Sequence, residues 1–247
     1  MGVTVPFRPR ADRRLNFLLA VLGGLMLIQT LGPVAAQTAG SITDACTCWV
    51  PASSGPRLVF SLTLHNSSQG ANWESSVVWA NLTFTSVTAF NATTDLAALA
   101  ADATSGVSFY NESGATGGFQ SAQDIRVGTP GAWSQPVAGT FRVNVTFSGS
   151  LKLPSTTAAT NIYVVIRTSG TVGNGDQWKA GLGVDQLNAT WGNFPSGAFE
   201  TATITADTVA PTSSVNTLSP YWGLSSPRTV TATASDSGSG VAEVGFW

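Results

Sequence analysis

Phe141-Arg142-Val143-Asn144-Val145-Thr146-Phe147 alternates without a break. Phe141, Val143, Val145 and Phe147 fall on one side of an extended chain and Arg142, Asn144 and Thr146 on the other, so the segment reads as a β-strand with one buried and one wet face. The same period of two governs Leu58-Val59-Phe60-Ser61-Leu62-Thr63-Leu64, where Leu58, Phe60, Leu62 and Leu64 are expected inward and Ser61 and Thr63 outward. Asn81 and Thr83 alternate in turn against Leu82 and Phe84. Ile162-Tyr163-Val164-Val165-Ile166 is apolar throughout, the pattern of a central strand covered on both sides. Shorter strands are expected at Ser75 to Trp79, Gly106 to Tyr110, Asp124 to Val127, Trp178 to Val184, Leu187 to Trp191 and Glu200 to Ile204. Turns are expected at Gly128-Thr129-Pro130-Gly131 and across Gly170 to Asp176. Only Asp95 to Asp102 argues for a helix, with Thr93 or Thr94 as its N-cap. The chain therefore reads as all-β, an antiparallel β-sandwich with one short helix.

Composition narrows the function classes. The 247 residues are 43% apolar and 10% charged, with a formal net charge of −2, and Ser and Thr together number 58. Eleven basic residues against 13 acidic ones exclude a nucleic-acid-coating protein. With one histidine, His65, and two cysteines, Cys46 and Cys48, most metal centres and His-dependent catalytic sites lack their ingredients.

The first 36 residues have the three parts of a secretory signal peptide. Arg8, Arg10, Arg13 and Arg14 precede an unbroken apolar run from Phe17 to Ile28, and Val34-Ala35-Ala36-Gln37 follows, placing cleavage after Ala36. The run is shorter than the roughly 20 residues that span a bilayer. Without the leader the chain holds 7 basic and 12 acidic residues, a net charge of −5, which suits a secreted, extracellular cell-surface protein. Six sequons begin at Asn66, Asn81, Asn91, Asn111, Asn144 and Asn188, against about two or three expected by chance, and are the glycosylation candidates.

Three parts are expected after the leader: a β-sandwich over 37–205, a linker at 206–214 that is polar and carries Pro211, and a further β region at 215–247. In the last, strands are expected at Thr229 to Ser235 and Val241 to Trp247, with a turn at Asp236 to Gly240. Asp207-Thr208-Val209-Ala210-Pro211, Tyr221-Trp222 and Ala232-Thr233-Ala234-Ser235-Asp236-Ser237-Gly238-Ser239-Gly240-Val241-Ala242 resemble the opening of the Ig-like repeats of modular secreted and cell-surface proteins of archaea and bacteria. That resemblance covers about 40 residues, less than half of an Ig-like sandwich. It implies a truncated Ig-like domain, the chain being a fragment or a partner completing the sheet. Asp95-Leu96, Gly106 to Tyr110 and Asn161 to Ser169 more loosely resemble the β-sandwich modules that precede such repeats.

Few residues are arranged for chemistry. Cys46-Thr47-Cys48 leaves open a disulfide, local and strained or intermolecular, a pair of thiols, or a metal ligand pair without its other members. Asn111 to Asp124 has the rhythm of a calcium loop, yet only Glu112 and Asp124 supply charge, and a glycine-rich connection between strands is the plainer reading. His65 falls on a polar face beside Asn66, no Gly-x-Ser-x-Gly turn accompanies it, and no pair of carboxylates sits in an apolar setting. Trp49, Trp73, Trp79, Trp133, Trp178 and Trp191 either fill the core or present faces on which sugars stack.

The expectation is a non-catalytic structural or adhesive segment of a secreted, glycosylated cell-surface protein, without catalytic residues, cofactor or metal. Its partners would be other surface proteins or polysaccharide, not nucleic acid, and it would meet a membrane only through the leader or an anchor outside this chain. The alternative is a carbohydrate-binding module, or the targeting and spacer portion of a larger secreted hydrolase.

Overall fold

The computed structural model describes residues 38–247 except 47–48, 54, 67–74, 97–105, 115–116, 150, 154–157, 191, 217–228, 242 and 246–247. The leader, Cys48, Trp73, Trp191, Tyr221-Trp222 and most of the expected helix lie outside the described residues.

Nearly all of the described secondary structure is strand, as the period of two requires. In chain order the strands are β1 (Thr38–Asp44), β2 (Trp49–Pro51), β3 (Arg57–Asn66), β4 (Ser75–Thr88), β5 (Val107–Asn111), β6 (Ile125–Val127), β7 (Thr129–Val137), β8 (Thr140–Thr146), β9 (Lys152–Leu153), β10 (Thr160–Ile166), β11 (Gln177–Ala189), β12 (Gly192–Phe194), β13 (Phe199–Glu200), β14 (Ile204–Asp207), β15 (Thr212–Val215) and β16 (Ala232–Ser235). One sheet has the order β1-β3-β10-β5-β6. The other runs β2-β14-β11-β4-β8-β7, with β12 and β13 also on β11 and β9 on β4. Pairing is antiparallel except between β2 and β14, and β15 with β16 makes a separate two-stranded ribbon.

The inner faces meet in one apolar cluster. Phe141, Val143 and Val145 of β8 are buried while Arg142, Asn144 and Thr146 are exposed, as the alternation demands. Phe109 of β5 meets Phe147 edge-on with ring centres 5.2 Å apart, and Phe60 of β3 meets Phe199 of β13 at the same distance, tying one sheet to the other. Trp178 is fully buried and stacks on Phe90 at 4.4 Å. Burying such aromatics removes 150–250 Å² each, roughly 4–6 kcal/mol at about 25 cal/mol per Å² before conformational entropy is counted. β10 occupies the middle of its sheet and is buried from Ile162 to Ile166, as its unbroken apolar run predicts.

Several expectations are corrected. A single helical turn, α1 (Ala92–Asp95), stands ahead of the expected helix, and Asn91 caps it where Thr93 or Thr94 was the expected cap. It ends at Asp95, because Leu96 is buried in extended conformation and bridges Thr168, a tertiary contact that outweighs local propensity at that residue. Leu58 does not join Phe60 in the core. A register shift between Val164 and Val165 passes over Val59, which turns inward, and Leu58 packs instead with Tyr110, Tyr163 and Val165 on the outer side. Gly128-Thr129-Pro130-Gly131 is not a turn: Gly128 has φ +76, but β7 starts at Thr129 and Pro130 pairs with Val145 on an edge strand, where a missing N–H is tolerated. The segments around Ser75 and Leu82 form one strand, β4, and those around Trp178 and Leu187 form one, β11, with its register against β4 interrupted between Leu182 and Leu187. Glu200 to Ile204 splits between β13 and β14. At the linker, Ala206 and Asp207 are buried in β14, so only Thr208 to Pro211 separates the sandwich from β15. Among the described residues Val241 to Gly245 carry no strand.

Candidate functional site

The aspartates show what the polar groups do. Asp44 accepts from the Cys46 N–H at 3.0 Å and the Ala202 N–H at 2.6 Å. Asp95 accepts from the Asn91 N–H at 2.6 Å, Asp176 from Gly173 at 2.7 Å, and Asp124, itself buried, from Ser113 at 3.2 Å and Gln120 at 2.7 Å. Asp207 accepts from Val209 at 3.2 Å and from Ser239 at 2.7 Å, joining β14 to the turn after β16. The Ser239 hydroxyl first, then its N–H, hold the Asp207 carboxyl below its ordinary value. Each of these carboxylates fastens a loop or a helix end through charge-assisted hydrogen bonds to backbone N–H groups.

The described residues between Asn111 and Asp124 form a roof over the outer face of the five-stranded sheet. Phe119 packs edge-on against Tyr110 at 5.1 Å and lies 5.9 Å from Tyr163. Glu112 accepts from the Tyr163 hydroxyl and from the Gly118 N–H, and that hydroxyl accepts from the same N–H at 3.1 Å. Burial, and next the bond to the Glu112 carboxylate, push the Tyr163 phenol up to about 12. Among the described residues no group of three or more His, Cys, Asp or Glu is placed to hold a metal ion.

His65 is half-buried on β3 opposite Ala39, and Asn66 beside it is only 2% exposed. Cys46 packs in part against the core. The tryptophans divide. Trp178 belongs to the core, and Trp133 meets Phe84 edge-on at 5.2 Å. Trp49 is 41% exposed on the edge strand β2, and Trp79 is half-buried in the outer row of β4.

That outer row lies on the open face of the nine-stranded sheet, where the strands bring carboxamides together. Asn144 donates to Asn81 at 2.7 Å, Asn81 donates to Gln186 at 3.0 Å, and Asn188 donates to Asn193 at 2.7 Å. Trp79 stands in register with Thr146 on one side and Asn188 on the other. Sequence reading singled out Asn81, Asn144 and Asn188 as sequons but not Gln186 and Asn193, whose only signal was an outward place on their strands. Asn91 is exposed and caps α1, its Oδ1 accepting from the Thr93 N–H at 3.1 Å. Asn111 ends β5.

A cavity of about 510 Å³ opens beside this face, lined by Thr38, Ala39 and Gly40 of β1 together with Asp185, Gly192, Asn193, Phe194 and Ser196. Its one carboxylate, Asp185, is exposed, and the Thr38 hydroxyl is buried without a hydrogen-bond partner. Neither a second acid nor a histidine is among the residues lining it.

No protein-family model matches the chain, and no curated protein matches it. Among solved structures it is similar to AvmM, which catalyses macrocyclization in alchivemycin A biosynthesis, at 9% identity and a TM-score of 0.37, over 70% of this chain and 90% of that one. It is also similar to the sixth cohesin of scaffoldin B from Acetivibrio cellulolyticus, solved with a Cel5 dockerin, at 12% identity and a TM-score of 0.25, over 70% of this chain and 99% of that one. Overlaps this loose carry no chemistry across. No helix among the described residues is long and apolar enough to cross a membrane.

Proposed function

We propose that this chain is a non-catalytic structural or adhesive segment of a secreted, glycosylated cell-surface protein. The observation that carries the reading is the engagement of Asp44, Asp95, Asp124, Asp176 and Asp207 with backbone N–H groups. Acids bound in this way hold loops in place, and the cavity of about 510 Å³ offers one exposed carboxylate, too few for paired general acid and base work. The leader and the acidic balance of the rest support export.

Surface labelling of intact source cells, followed by N-terminal sequencing of the labelled protein, tests this. A labelled chain beginning at Gln37 is expected. An unlabelled intracellular chain that keeps residues 1–36 overturns it.

One observation favours a second reading, polysaccharide binding. Trp79 stands beside Asn188 on an open sheet face rich in carboxamides, and an aromatic ring flanked by amides suits a neutral sugar chain. Saturable retention on an insoluble polysaccharide that is lost in Trp79→Ala would establish that reading over the purely structural one, and undiminished retention would remove Trp79 from it.

A further inference from the structure

The sequons are not equivalent once folded. Asn81 on β4 and Asn144 on β8 are direct cross-strand partners, and both side chains point out of the sandwich. Side chains so placed start about 4.5–5.5 Å apart at Cβ, so two sugar rings linked to them would compete for the same space. The pair is also asymmetric. Asn81 is half-buried and held from both sides, accepting from Asn144 at 2.7 Å and donating to Gln186 at 3.0 Å. Asn144 is exposed and uses one N–H of its carboxamide, toward Asn81, which leaves the other directed away from that bond.

We propose that Asn81 and Asn144 form a mutually exclusive pair of N-glycan acceptors, of which Asn144 carries the sugar and Asn81 is the bare partner that orients it. The proposal rests on the export reading, since only an exported chain meets the transfer machinery. The step replaces one N–H of the Asn144 carboxamide with a bond to the anomeric carbon of a lipid-linked oligosaccharide donor. The lipid phosphate leaves with the electron pair of its glycosidic bond and the amide proton is released, while the second N–H of Asn144 still donates to Asn81.

Transfer to the folded chain reaches the exposed Asn144 amide, whereas a sugar on Asn81 would have to lodge between Gln186 and Asn144. A glycan at Asn144 also stands over Trp79 and Asn188 and so limits access to the face.

Site-resolved glycopeptide mapping of the full chain secreted by its native host tests this. Occupancy of Asn144 several-fold above that of Asn81 is expected, with no molecule carrying both, because Asn81 alone makes the further bond to Gln186. Asn144→Ala, an exposed change that the fold should tolerate, removes both the sugar and the flanking side chain. Asn81 occupancy is then expected to rise several-fold, about the loss of one hydrogen bond. Both sites filled on one molecule, or Asn81 filled in preference, overturns the pairing and leaves export intact. A chain cleaved before Gln37 yet bare at all six sequons overturns the proposal and the glycoprotein reading together, and a chain that keeps its leader removes export itself.

Discussion

The five-stranded sheet covers its outer face with its own connection between β5 and β6, where Phe119 lies on Tyr110 and Tyr163 and Asp124 holds the loop shut. The nine-stranded sheet leaves its outer face to solvent and lines it with carboxamides and hydroxyls. The same alternation of side chains produces both, so the difference lies in what stands at the outward positions. On β10 those are Tyr163 and Val165, which need a cover, and on β8 they are Arg142, Asn144 and Thr146, which do not. A sheet face that water wets is one a sugar or another protein can reach.

Substitutions on the two faces should differ accordingly. The largest effect is expected for Asp124→Ala, which strands the Ser113 and Gln120 N–H groups and releases the roof, costing about 3 kcal/mol. Urea unfolding followed by circular dichroism reads this as a lower midpoint at constant slope. An unchanged midpoint would mean the roof contributes nothing to the sheet beneath. Phe119→Ala keeps the loop closed but removes its apolar contact, for about 2 kcal/mol.

A pH titration distinguishes the faces without mutation. Tyr163 ionises near 12 rather than at the ordinary 10, so the roofed face favours the neutral phenol. Its stabilising contribution is complete below pH 10 and is lost as pH rises from 10 through about 12. Ultraviolet titration should therefore show one tyrosine ionising about two units late, and its coincidence with the others would show the roof to be open in solution. The smallest effect is expected on the wet face, where Asn144→Ala changes stability by no more than about 0.5 kcal/mol. A loss of 2 kcal/mol or more there would erase the contrast between the faces.

How much of this was legible follows from the range of each signal. The alternation of Phe141 to Phe147 and the solid run of Ile162 to Ile166 survive into the structure, because burial on a pleated strand depends on position alone. Leu58 was misplaced by a register shift in a partner about 100 residues further along the chain. The start of the expected helix was misplaced because Leu96 bridges Thr168, again a distant residue. For the candidate site, the sequons marked Asn81, Asn144 and Asn188. That Asn81 faces Asn144 is a matter of pairing between strands some 60 residues apart, which no local pattern records. Likewise the sequence shows the carboxylates, and only the fold shows which N–H groups they hold.

The parallel pair of β2 and β14 has a mechanical side. Trp49, Val50 and Pro51 run in the same direction as Thr205, Ala206 and Asp207, with β2 entered from the N-terminal part of the chain and β14 left toward the C-terminal part. Tension between those two parts draws the strands along their length in opposite directions, so their hydrogen bonds are strained in shear and must fail together instead of opening one by one. In a single-molecule pull, once β1 has come away from β3, this pair gives one sharp rupture, and its opening in a staircase of small steps would refute it. Three residues paired in this sense would set the force at which β2 parts from β14.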